Sequence, residues 1–261
     1  MEQDPHDVPA SPDRYSGLAA YYDAAYAQLR DDADVEFYTR LAEVAQGPVL
    51  ELGVGTGRVL LEIAERGIPV TGLDLSAAML RTLRGKSALP TLRLVQAPMQ
   101  RFALGDDRFC LIYAAFRGFQ HLGSVADQLS CLACVRRHLA PGGTFAFDVF
   151  APRLDRLAAA ESPEVEEVRF PLGDETVVRY ARTRVSHADQ RLEVTFRHER
   201  RRGTQVVASE ETELSLRYFF RFELEHLMAR AGFEDVRLYG GFDRRPYDYV
   251  SGETVVVAKV R

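Results

Sequence analysis

The stretch Val49-Leu50-Glu51-Leu52-Gly53-Val54-Gly55-Thr56-Gly57-Arg58-Val59, followed by Val70-Thr71-Gly72-Leu73-Asp74-Leu75, decides the reading of this chain. Val49 to Leu52 is apolar enough for a buried strand. Three alternating glycines then supply a tight turn, and Gly57 to Arg66 returns to helical spacing of apolar residues. Glycine suits that turn because a missing Cβ permits φ > 0 and lets a ligand approach the backbone. A second apolar strand, Pro69 to Leu73, ends in Asp74, whose carboxylate can accept both hydroxyls of a ribose.

The glycine spacing separates two nucleoside cofactors. A dinucleotide fingerprint places its third glycine three residues after the second, whereas Gly53, Gly55 and Gly57 alternate, which puts a nicotinamide dehydrogenase last. The segment Glu51-Leu-Gly-Val-Gly-Thr-Gly resembles the first motif of the class I S-adenosylmethionine-dependent methyltransferases, and Asp74 resembles their ribose acid. The resemblance implies S-adenosylmethionine as cofactor and S-adenosylhomocysteine as product. It implies cofactor contacts from Glu51, Gly53, Gly55, Gly57, Arg58, Asp74 and Leu75. Met79, Met99, Ala114 and the tyrosines Tyr15 and Tyr22 complete that implied set. Backbone N–H groups of Gly53 and Gly55 are expected to face the cofactor's amino-acid moiety, with the following helix N-terminus favouring its carboxylate. Where the family commonly carries an acid for the adenine amino group, this chain has Pro98, which leaves adenine to backbone groups, Met99, Gln96 or Gln100.

The chain has 261 residues, 46% of them hydrophobic, a net charge of −5 and no lysine-rich run. That composition allows one large core and disfavours a nucleic-acid partner. No apolar run is long enough to span a bilayer, and Met1 to Asp13 is polar and Pro-rich rather than signal-like, so a cytoplasmic protein with no membrane partner is expected. Cys131 and Cys134 form a single C-x-x-C pair without a second, inside a helical segment. Buried thiols are the expected reading, and no histidine spacing suggests a metal.

Residues 1–14 read as a mobile tail. Helices are expected at Leu18 to Leu29 and Ala33 to Ala45. Strands at 48–52, 69–73, 91–95, 108–114 and 143–149 then alternate with helices at 57–66, 76–86 and 124–139, which implies an α/β, Rossmann-like, doubly wound and mostly parallel sheet. Pro141-Gly142-Gly143 stops the helix after Leu139. A helix at Phe219 to Ala231 and strands at Val236 to Tyr239 and Glu253 to Val260 resemble the family's ending, with the last strand antiparallel. Residues 15–159 plus 219–261 thus form the cofactor-binding domain. Residues 160–218 alternate with period two between Gly-containing turns and form an inserted antiparallel β-hairpin subdomain, serving as a lid or a homodimer contact.

In an open parallel sheet, ligands sit beyond the carboxyl ends of the strands. That rule gathers the glycine turn, Asp74, Ala114 to His121, Asp148 to Phe150 and the connection Gly240 to Tyr249 on one rim. His121 can move a proton or orient an acceptor, or it can satisfy backbone groups at the next helix start. Arg117 can clamp a carboxylate or phosphate, or pair with a carboxylate of the insertion. Tyr22 can face a sulfonium or simply bury its ring. Catalytic roles are expected for His121, Tyr22 and Arg117, and acceptor contacts for Arg117, His121, Asp148, Arg245 and Tyr247. Asp148 can equally be an ordinary hydrogen-bonded acid. The resemblance implies methyl transfer to a small-molecule acceptor, N-methylation ahead of O- or C-methylation. A cofactor-dependent cyclisation or rearrangement, and a non-catalytic nucleoside-binding module, are the alternatives.

Overall fold

A computed structural model describes residues 19, 21–29, 31–248 and 250–260. The tail 1–14, Tyr15 and Tyr249 lie outside the described residues. A seven-stranded sheet takes the order β10-β11-β5-β4-β1-β2-β3, with β1 at Val49–Leu52, β2 at Val70–Asp74, β3 at Leu92–Gln96, β4 at Phe109–Ala114, β5 at Leu139–Phe150, β10 at Glu234–Tyr239 and β11 at Glu253–Lys259. β1 to β5 pair in parallel, and β11 runs antiparallel between β5 and β10. Chain order therefore reverses between β1 and β4, and the carboxyl ends of these two strands are the switch point at which open α/β sheets take their ligands.

Two apolar layers cover the sheet. On one face α2 (Ala33–Ala45), α3 (Arg58–Glu65) and α4 (Ala77–Lys86) bury Phe37, Leu60, Ile63 and Leu83; on the other, α5 (Val125–His138) and α7 (Arg221–Arg230) bury Leu132, Val135, Leu224 and Met228. The starts of α4 and α5 are fixed by side-chain caps, Ser76 Oγ accepting from Met79 N and Ser124 Oγ from Asp127 N. Cys131 and Cys134 are buried free thiols of α5, with burial pushing the Cys131 thiol up. The helix stops at His138 as its flanking tripeptide dictates, but β5 begins earlier than 143. Leu139 already pairs with Phe109, the next pair is Thr144 with Leu111, and residues 140–143 bulge between them with Gly142 at φ 73°. A short α6 (Leu154–Leu157) follows β5.

The insertion is one four-stranded antiparallel sheet of β6 (Val165–Leu172), β7 (Glu175–Ser186), β8 (Arg191–Arg202) and β9 (Gln205–Arg217). One face carries Val168, Phe170 and Val177 and packs on Tyr21 and Ala25. The other is laced with ion pairs such as Arg169–Glu166 and Arg201–Glu199. Of the helix expected from Leu18 to Leu29, the described residues form α1, Tyr22–Tyr26, with turns at 27–29. Tyr21 packs on the inserted sheet, while Tyr22 and Tyr26 meet Phe116.

α2 is tied to α3 by an ion pair with one buried partner. Asp34 is 1% exposed and takes both ends of the Arg58 guanidinium, with Nη1 2.9 Å from Oδ1 and Nη2 on Oδ2. The sequence reading gave Arg58 to the cofactor; its fork is instead committed to α2. Because Arg58 sits at the first position of α3, where a cation opposes the helix dipole, Asp34 also offsets that cost. Asp34→Asn should destabilise the fold by about 3 kcal/mol, the low end for a broken buried pair because Arg58 is partly exposed. Urea unfolding measures it, with a shift in midpoint at unchanged slope.

Candidate active site

The glycine turn is built by β1 and β2 together. Gly53 N and Val54 N both donate to Leu73 O, at 2.7 and 3.0 Å, and Gly55 N donates to Asp74 Oδ2 at 2.7 Å. Asp74 Oδ1 accepts from Ser76 N at 2.8 Å. The N–H groups of Gly53 and Gly55, expected to face the cofactor, are hydrogen-bonded within the protein. The carboxylate that was assigned to a ribose also shapes the turn.

The three glycines have different reasons. A Cβ on Gly57 would lie 2.2 Å from Leu83 Cδ1, so that glycine lets α3 pack on α4. A Cβ on Gly53 would come within 3.3 Å of Met99 Cε. Gly55, at φ 54°, has nothing within 4 Å of the built Cβ, and it is the open side of the turn. Leu75 and Met99 are half-buried beside it, and the Gln96 amide is occupied by Leu75 O at 3.2 Å. Met79 and Ala114 are 1% and 0% exposed, so their side chains belong to the core and offer no surface to a cofactor.

α1 is fastened over this turn. Thr56 Oγ1 donates to Asp23 Oδ1 at 2.6 Å, Lys86 Nζ lies 2.6 Å from Asp23 Oδ2, and Lys86 also donates to Thr56 O. Tyr22 and Tyr26 stand one helical turn apart with ring centroids 4.5 Å apart, and both meet Phe116 edge-on, at 6.3 and 4.8 Å. The switch point at the end of β4 thus has an aromatic wall. Of these rings the sequence reading found Tyr22 alone. Tyr26 was within reach, because residues four apart share a helix face.

Phe116 is held there by Asp148. Phe116 and Arg117 both adopt left-handed backbone, φ 54° and 65°. Asp148 Oδ1 accepts from Phe116 N and Tyr38 Oη, each at 2.8 Å, while Oδ2 accepts from Arg117 N at 3.0 Å. With 0% exposure, Asp148 is the hydrogen-bonded acid of the two expected readings, and it positions backbone rather than touching an acceptor. Arg117 is no free clamp either: Nη2 pairs with Glu253 of β11 at 2.9 Å and its Cζ lies 5.5 Å over the Phe150 ring. His121 ends a short 3-10 turn, Gly118–His121, and is exposed. Because β10 runs parallel to β5, its connection to β11 does emerge on the catalytic rim, where Phe242 packs on Phe37 and Tyr38. Arg245 in that connection is exposed and paired with Asp243, and Tyr247 is half-buried with its phenol pushed up by burial.

Beneath the switch point, Tyr113 Oη donates to Glu51 Oε2 at 2.8 Å, and the Tyr113 ring stacks on Tyr38 at 4.7 Å. Burial raises the Glu51 carboxyl from 4.5 to about 8, although the Tyr113 hydrogen bond and Arg58 oppose it. Between those two values the folded chain keeps a proton that the unfolded chain has released. Stability contributed by this group is therefore full below 4.5 and falls as pH rises through 8. Glu51→Gln should flatten that decline. Melting temperatures from pH 5 to 9 test it, and parallel curves for the two proteins would refute it.

An open α/β sheet with a glycine turn, an acid closing the second strand and an aromatic rim at the switch point defines a nucleoside-cofactor fold of the methyl-transfer type. Residues 49–143 match the methyltransferase domain family. The CcbJ methyltransferase from Streptomyces caelestis is similar in structure, with TM-score 0.75, 30% identity and coverage of 88% of this chain and 90% of that one. This chain belongs to the class I S-adenosylmethionine-dependent methyltransferases, and S-adenosylmethionine is its cofactor. YqeM of Bacillus subtilis, provisionally named a methyltransferase, is 30% identical over 139 residues, 52% of this chain and 55% of that protein. The dTDP-3-amino-3,6-dideoxy-alpha-D-glucopyranose N,N-dimethyltransferase of Streptomyces fradiae is 30% identical over 135 residues, 49% and 52% of the two chains. The match therefore spans about half the length of these two curated relatives.

Proposed function

We propose that this protein transfers the methyl group of S-adenosylmethionine to an amine nitrogen of a small molecule. The observation that carries the reading is the joining of the cofactor turn to an aromatic acceptor wall by one element, α1, through Asp23 on Thr56 and Tyr22 and Tyr26 on Phe116. The similarity to an aminosugar N,N-dimethyltransferase favours nitrogen, and the net charge of −5 disfavours a nucleic-acid acceptor.

The residues present fit the cofactor. Asp74 ends β2 beside the glycine turn, Gly55 leaves open space there, and the α3 N-terminus favours a carboxylate. S-adenosylmethionine supplies an activated methyl on a cationic sulfur. In-line displacement needs alignment above all, and holding reactants at roughly 3–3.5 Å can remove most of such a barrier. Here that alignment falls to the rigid Phe116–Arg117 turn and to the tyrosines of α1, whose ring faces suit a cation. A neutral amine needs no strong base to attack, which accords with the exposed position of His121.

Calorimetric titration with S-adenosylmethionine, then mass spectrometry of reactions with panels of small amines and phenols, tests the proposal. Methylated amines with stoichiometric S-adenosylhomocysteine are expected. Methylation of phenols alone would refute the amine, and turnover without cofactor consumption would refute methyl transfer.

A further inference from the structure

The face of the inserted sheet that turns toward α1 holds a buried cation with an unused donor. Arg179 of β7 is 2% exposed, and its Cζ lies between two rings, 4.7 Å from the centroid of Tyr26 and 4.6 Å from that of Phe196. Its Nε lies 2.8 Å from Glu167 Oε2 as an ion pair without hydrogen-bond geometry, and both Nε and Nη2 are buried with no hydrogen-bond partner among the described residues. The ring contacts explain a buried positive charge. They leave unexplained a donor kept dry and unpaired, which is costly in a native protein and calls for a partner.

Directly opposite Arg179 in the strand register stands His198, 3% exposed and stacked on Tyr21 at 5.4 Å. Burial first, then the Arg179 charge, depress its imidazole to about 4, so it is neutral at working pH. The charged groups on the strands around it are Arg179, Glu167 of β6 and Glu210, its partner across β9. This pair adjoins the acceptor wall, because the Tyr26 ring that covers Arg179 also meets Phe116 edge-on.

We infer that Arg179 and His198 form an oxyanion subsite for the methyl acceptor, through which the inserted sheet reads a carboxylate or phosphate on the small molecule whose amine lies at the rim. The inference rests on the methyl-transfer reading above. An oxyanion there satisfies Nη2, offsets the Arg179 charge and makes protonation of His198 easier, since a nearby negative charge favours the charged imidazole.

The test uses the full chain saturated with S-adenosylhomocysteine, titrated separately with inorganic phosphate and with acetate while NMR follows the His198 ring. The expected result is saturable binding that raises the imidazole pKa by about one unit or more. A stronger response to phosphate identifies a phosphorylated acceptor, and a stronger one to acetate a carboxylate. Arg179→Met should weaken that binding about tenfold or more with S-adenosylhomocysteine affinity unchanged, as expected when a charge-assisted hydrogen bond is lost. Arg179→Lys, which keeps the charge without the planar fork, serves if the first variant fails to fold, and should weaken binding less. A His198 ring in the wild type that responds to neither oxyanion, or equal binding in the Arg179 variants, overturns the inference and leaves methyl transfer standing. Failure of the wild type to bind S-adenosylhomocysteine would instead overturn the earlier reading.

Discussion

Asp74→Ala should remove S-adenosylmethionine binding at concentrations that saturate the wild type. Two effects act in the same direction. The carboxylate is the group able to accept both ribose hydroxyls, and it also organises the turn through Gly55 N and Ser76 N. Hydrogen bonds to a charged group contribute about 1.5–3 kcal/mol each. Losing two to the cofactor alone corresponds to about 100-fold to 10,000-fold in affinity. Gly55 and Ser76 would also lose their acceptor, so the open side of the turn would no longer hold its shape before the ligand arrives. Asp74→Asn separates the two contributions. It keeps one acceptor oxygen but sets an N–H₂ against a backbone donor, so intermediate affinity is expected. Calorimetry with S-adenosylmethionine and S-adenosylhomocysteine reads both variants, and near-wild-type affinity in Asp74→Ala would take this carboxylate out of the cofactor site.

The frame of the protein was legible because its signals are local. Each parallel strand is a short apolar run, each helix carries its own periodicity, and the glycines mark one turn, so β1 to β4 fall within a residue or two of their expected bounds. The orientation of β10 could be reasoned from the family resemblance, and it places residues 240–248 of the connection on the rim as expected. The polar residues of the site were less legible because their partners are distant in sequence. Asp148 collects Tyr38, 110 residues away, together with two N–H groups 32 and 31 residues away. No spacing rule reports that three donors converge on it. Arg117 was expected to meet the acceptor or a carboxylate of the insertion, and it meets Glu253 of the last strand, 136 residues away. Arg179 did leave a trace, as a charge at a core-facing position between Val177 and Ala181, where strand alternation asks for an apolar side chain.

Asp148→Asn should leave cofactor affinity intact and take away methyl transfer. Two carboxylate oxygens accept three donors here, two of them from a turn with consecutive left-handed non-glycine residues. Left-handed backbone costs roughly 1–2 kcal/mol per residue, so the turn persists because the buried acid holds it. Asparagine replaces one acceptor with a donor facing a donor, and the expected destabilisation is about 3 kcal/mol, from one lost charge-assisted bond and one unsatisfied buried group. Relaxation of the turn would carry the Phe116 ring with it, and with that ring the wall formed by Tyr22 and Tyr26. A misplacement of about 1 Å can cost about 100-fold in rate, and a loss of that size in kcat is expected while the dissociation constant for S-adenosylhomocysteine holds. The Arg117→Gly background tests the cause. Glycine adopts φ > 0 without penalty, so if backbone strain drives the relaxation, Asp148→Asn should lower the melting temperature less in that background than in the wild type. An equal loss in both backgrounds would show that the acid stabilises the fold through Tyr38 alone. The positioning role for the turn would then be lost.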